Sequence, residues 1–103
     1  MPQHCELARQ YVLIIAAEHD IESGRLEAAQ RRADEALTLA TAVNRRSQMA
    51  LARSVLGRVA CARREQRTAK RHLDAIHPDL ERPLALSARA RAAVESLAAV
   101  LRQ

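Results

Sequence analysis

Apolar residues return every three or four positions along most of this chain, the spacing of one helix face and not of a strand. Leu7, Tyr11, Ile14 and Ile15 set the first stripe and predict a helix over residues 5–21, with 1–4 frayed ahead of it. Polarity rises from Glu18 to Glu22, and Ser23-Gly24 closes the helix, Gly24 being able to take a left-handed cap. Leu26, Ala29, Ala33, Ala36, Leu37 and Ala40 form a second stripe over 26–43, opposite Gln30, Arg31, Asp34, Glu35 and Thr38. Asn44 suits the end of that helix because Asn tolerates the left-handed region.

A third helix is predicted over 46–63. Leu51, Val55, Val59 and Ala62 lie on one side, and Ala50, Ser54, Gly57 and Cys61 form a seam of small residues on another. Gly57 costs about 1 kcal/mol against Ala inside a helix, and close approach of a neighbouring backbone is the simplest compensation. A short turn at Arg64-Glu65 leads to a fourth helix over 66–76, with Ala69, Leu73 and Ile76 inward. His77-Pro78 is expected to stop it, since a residue before proline avoids helical angles. Pro83 fits the first turn of a last helix over 83–102, whose buried stripe would be Leu86, Ala90, Ala93, Leu97, Val100 and Leu101. The connections are short, so consecutive helices must run antiparallel. The expected fold is all-α: hairpins over 5–43 and 46–76, and a C-terminal helix, in one domain of 103 residues.

Composition narrows this further. Ala supplies 22 positions and Leu 13, while Phe and Trp are absent and Tyr11 is the only aromatic. A core of such small side chains gains its stability from close helix approach. Charge is unevenly spread. Residues 1–44 carry four basic and seven acidic side chains, residues 45–72 nine basic and one acidic, and sixteen of the seventeen cations are Arg.

The forty-residue offset between the hairpins aligns Ala29 with Ala69, Ala33 with Leu73 and Ala36 with Ile76. Helical hairpins at such a period stack because none can bury its apolar face alone. The run Gly24-Arg25-Leu26-Glu27-Ala28-Ala29 with Ala36-Leu37 resembles the second half of a tetratricopeptide repeat. Leu56-Gly57 with Ala60, Ala69 and Leu73 resembles the landmarks of the next one. The likeness covers about residues 8–77 and is closest to the longer repeats of bacterial regulatory proteins. Three positions depart from the pattern: Arg64 replaces the turn Gly, Arg53 replaces a bulky apolar residue, and Ala16-Ala17 replaces Leu-Gly.

The resemblance implies a short solenoid whose first helices line a groove. Its groove positions would be Tyr11, Ile14, Glu18 and Ile21, then Ser54, Arg58, Cys61 and Ala62, then Arg91, Val94 and Ala98. Gly24, Ala29, Gly57 and Ala69 would be its close-packing sites. The family's Lys/Asn clamp on a peptide carboxylate cannot be built from one Lys and one Asn.

No nucleotide, protease or hydrolase motif occurs. His4-Cys5 and His19-Asp20 match no zinc spacing. Cys61 reads as an inert small apolar residue, and Glu18, Asp20 and Glu22 as a solvated helix end. No catalytic residue, metal or cofactor is expected, and the longest apolar run is too short to span a bilayer. A cytoplasmic, non-enzymatic adaptor or chaperone-like module is the expected function, binding a protein or peptide segment, acidic by charge complement, and forming a homodimer. The alternative is a nucleic-acid-associated protein using the basic block 45–71, in which Arg46, Arg53 and Arg64 share a helical face. A pairing of the acidic first third with that block is a further option.

Overall fold

The computed structural model describes the backbone of residues 3–80 and 86–102 and the side chains of 8–79 and 86–102. Among the described residues five helices follow in order: α1 (Gln3–Glu22), α2 (Leu26–Ala42), α3 (Arg46–Ala62), α4 (Gln66–Leu80) and α5 (Ala88–Leu101). Each packs against its successor, α3 also packs against α1 and α5, and among the described residues the backbones of α2 and α4 do not approach each other. The helices therefore form two layers, α1, α3 and α5 in one and α2 and α4 in the other. The shortest dimension, 19 Å, is the thickness of two packed helices.

One turn is used three times. Gly24, Asn44 and Arg64 have φ of 78°, 54° and 62°, and they stand twenty residues apart. After each, a backbone N–H reaches back five residues: Arg25 to the carbonyl of Asp20 at 2.7 Å, Arg45 to Ala40 at 2.9 Å, Glu65 to Ala60 at 2.8 Å. Gly24, Asn44 and Arg64 themselves donate three residues back. This pair of bonds is the Schellman arrangement, which satisfies carbonyls left open at a helix end. Gly24 serves here through its backbone and not through packing. Nothing stands within 4 Å of where its Cβ would be, which corrects the close-packing role expected for it.

The forty-residue register runs on into α5. Gln10, Ala50 and Ala90 are all buried, as are Ile14, Ser54 and Val94. Ala17, Gly57 and Leu97 make a third buried rung. Ala29 and Ala69 are fully buried, as close packing requires. At Gly57 a Cβ would meet Leu97 Cδ2 at 2.5 Å, so any larger residue there requires the buried Leu97 side chain to shift. The central helix α3 is covered along most of its length.

Three helix ends differ from expectation. α1 begins at Gln3, so Gln3 and His4 are helical. α4 passes through Pro78 and ends at Leu80. Proline frees only the carbonyl of Asp74, an exposed residue where water can replace the lost bond, and Arg46 holds the following turn through Asp79 at 3.8 Å. α5 starts at Ala88, five residues later than expected. Its first turn is capped by Ser87, whose Oγ accepts from Ala90 N–H at 3.1 Å. The Ser87 N–H in turn donates to Ser47 Oγ at 2.8 Å, fixing the start of α5 beside the start of α3. Pro83 lies outside the described residues.

Candidate functional site

The expected groove residues separate into two groups. Ile14 and Ser54 are 0% and 2% exposed, which removes both as partner contacts in this conformation. Ile14 shares a buried cluster with Ala90 and Val94 of α5, and Ser54 Oγ donates to the Leu51 carbonyl at 2.7 Å. The docking of α5 covers the positions that an open groove would present. Val94 is buried for the same reason. Tyr11, at 38%, remains exposed, and Arg58 and Arg91 are half-exposed. Glu18 is engaged: it accepts a hydrogen bond from Arg89 at 2.6 Å, a link from α1 to α5. Ile21, Cys61 and Ala98 are half-buried and Ala62 is exposed.

Asp20 overturns the reading of Glu18, Asp20 and Glu22 as a solvated end. It is 1% exposed. Its carboxylate accepts from Arg25 Nε at 3.1 Å and from Arg32 at 2.5 Å, clamping the α1–α2 turn. Burial acts to raise the Asp20 pKa. The hydrogen bonds and charges of Arg25 and Arg32 outweigh it and hold the carboxyl below its ordinary 3.8. Position 20 aligns with Ala40 and Ala60, both buried, and this alignment is the sequence signal that marks it as interior.

The basic block is divided too. Arg46 is paired with Asp79, and Arg63 donates to Gln30 of α2. Arg53 lies half-buried, 3.4 Å from His72 Nδ1, so Arg46, Arg53 and Arg64 do not form a free stripe. Burial, with the positive field of Arg53, lowers the His72 pKa from 6.5 against the pull of Asp34. Among the described residues, no ion pair joins a carboxylate of 1–44 to an arginine of 45–72. Glu35, Asp20 and Glu18 are held instead by Arg9, by Arg25 with Arg32, and by Arg89. Arg64, Arg67, Lys70 and Arg71 are exposed, and no ion pair involves them among the described residues.

Two surface features are apolar. Val12 and Ile15 are 64% and 51% exposed and share one side of α1 with Tyr11. At the opposite end of the stack, Gln66, Lys70 and Leu73 of α4 and Ala98, Leu101 and Arg102 of α5 line an open, largely apolar cleft. Cys61 is half-exposed and burial raises its thiol pKa, which keeps it in the unreactive form. Among the described residues there is no cluster of three metal-ligating side chains and no helix long and apolar enough to cross a membrane. Comparison of the chain with protein-family models, with curated proteins and with solved structures finds no match.

Proposed function

We propose that the chain is a non-enzymatic protein-interaction module built from tetratricopeptide-like hairpins, acting as an adaptor or chaperone-like part. The observation that supports this most is the recurring frame: one turn every twenty residues and buried rungs every forty, in two alternating layers. Such frames present side chains at fixed intervals and carry no chemistry of their own. With Ile14 and Ser54 covered and Glu18 bonded to Arg89, the expected partner contacts that stay accessible are Tyr11, Arg58 and Arg91. A partner segment bearing carboxylates suits that set, arginine matching carboxylate geometry in a bidentate way. The experiment is quantitative affinity capture with the parent, Tyr11→Ala, Arg58→Glu and Arg91→Glu as baits of equal helicity. A partner retained by the parent and lost on Arg58→Glu is the expected result. Equal recovery on all baits overturns this use of the surface.

A second reading is favoured by the exposed quartet Arg64, Arg67, Lys70 and Arg71. Four cations at one end of α4, next to the positive pole of its helix dipole, suit a phosphate backbone. The engagement of Arg46 and Arg53 and the absence of aromatic residues from the block weigh against it. Fluorescence anisotropy with duplex and single-stranded probes over a salt series decides. Nucleic-acid binding requires a salt slope that falls by about one for each arginine replaced.

A further inference from the structure

Where the two hairpins meet, α2, α3 and α4 leave a polar cleft of about 320 Å³. Its floor is buried Leu56, Val59 and Ala60 of α3, and Asp34 of α2 lines it opposite His72 of α4. The backbones of α2 and α4 do not approach each other among the described residues, so only side chains can bridge the gap. Arg63 already bridges one end by donating to Gln30. His72 is tied within the second hairpin alone: its Nδ1 lies 3.4 Å from a guanidinium nitrogen of Arg53 on α3. A guanidinium can only donate, so Nδ1 accepts and the single ring proton sits on Nε2. Across the cleft the Asp34 carboxylate makes no ion pair among the described residues, and its charge acts on the ring against that of Arg53. Glu65, the other acid lining the cleft, stands about two turns down α4 from the ring. α5 packs along the Lys70–Leu73 side of α4 and lines no part of this cleft.

We propose that this cleft is a proton-operated latch, in which His72 exchanges Arg53 of α3 for Asp34 of α2 and so ties the second hairpin to the first. The exchange follows from where the proton must go. The free lone pair of the neutral ring is on Nδ1, and it faces the guanidinium. A proton added there opposes two donors and two positive charges at 3.4 Å, which turns an attractive contact into a repulsive one. Asp34 is then the unpaired carboxylate nearest to hand across the cleft, and the open space between α2 and α4 gives the ring room to turn. Burial and Arg53 oppose the proton more than Asp34 favours it, so the latch closes below the ordinary imidazole value of 6.5. The latch is independent of any partner held at Arg58 and Arg91.

An NMR pH titration of the whole chain is the test, following the His72 ring nitrogens and the backbone amides of α2. The expected result is the Nε2–H tautomer at neutral pH and, as the ring takes up its second proton, a shift of the Asp34 amide with the same midpoint. A nuclear Overhauser contact between the His72 ring and the Asp34 side chain should appear only below that midpoint. Asp34→Asn, at an exposed site, should abolish the α2 response and lower the His72 midpoint by about half a pH unit or more, and Arg53→Gln should raise it. His72→Gln should silence the α2 response too, which separates it from the titration of His19 and His77. A ring that carries its proton on Nδ1 at neutral pH overturns the proposal. So does a parent whose α2 amides ignore the His72 midpoint, or an Asp34→Asn chain that keeps the parent's response.

Discussion

The two hairpins share a frame and differ in how it is filled. In the first, the turn residue is Gly24, and the arginines Arg9, Arg25 and Arg32 all find carboxylates. In the second, Arg64 occupies the same left-handed position, and four neighbouring cations lack ion pairs among the described residues. A left-handed non-glycine costs about 1–2 kcal/mol. Concentrated like charge at a helix N-terminus adds repulsion. The first hairpin thus draws on internal ion pairs at Asp20 and Glu35, with Glu18 tied to Arg89 of α5, and the second rests more on packing, including the contact of Gly57 with Leu97 of α5.

Substitutions at four places, with their pH dependence, can break or sharpen that contrast, and urea unfolding measures each. Asp20→Ala should have the largest effect, because it leaves Arg25 and Arg32 facing an empty buried site. If its denaturation midpoint matches the parent, the first hairpin is not held by charge. The same group sets an acid limit. Its folded pKa is below 3.8, so its contribution is complete above that value and is lost as pH falls through the lower folded value. Asp20→Ala should remove that part of the acid sensitivity.

Overpacking comes next. Gly57→Leu and Ala29→Leu should each cost about 1–3 kcal/mol or more. Adding Leu97→Ala should recover part of the loss for Gly57→Leu and none for Ala29→Leu. Recovery in both, or in neither, would show that Leu97 is not what confines position 57.

The turns offer a reciprocal pair. Arg64→Gly should stabilise by about 0.5–1 kcal/mol, and Gly24→Ala should destabilise by about 1 kcal/mol. Negligible shifts in both would mean that the left-handed conformation carries no cost at either turn. The smallest effect belongs to His72. Its pKa is lowered from 6.5, so the folded state resists protonation and stability declines as pH falls below that value. His72→Gln should flatten the profile between neutral and mildly acid pH.

Much of this architecture is legible in the residues. Helical periodicity finds all five helices, and Gly24 and Asn44 mark turns by their tolerance of positive φ. Arg64 does not advertise a left-handed turn, and only its place in the twenty-residue series reveals it. Asp20 resembles a surface acid because Glu18 and Glu22 flank it, and its interior position follows from Ala40 and Ala60. Pro78 looks like a stop signal, yet a helix tolerates proline where the freed carbonyl meets water. The groove is the least legible part. Ile14 and Ser54 fit a groove by register, and only the seating of α5, fixed by Ser47, Ser87 and Gly57, covers them.

The envelopment of α3 has a consequence for how the molecule opens. Its amides lie beneath neighbours in both layers, whereas α1 and α5 each border the rest along fewer sides. The outer helices can detach by local fluctuation, but α3 gives up its protons only when the whole assembly lets go. Most tertiary contacts between helix backbones join consecutive helices, and the rest reach only the next helix but one, so reclosing needs little distant search and the fold re-forms around that one central rod.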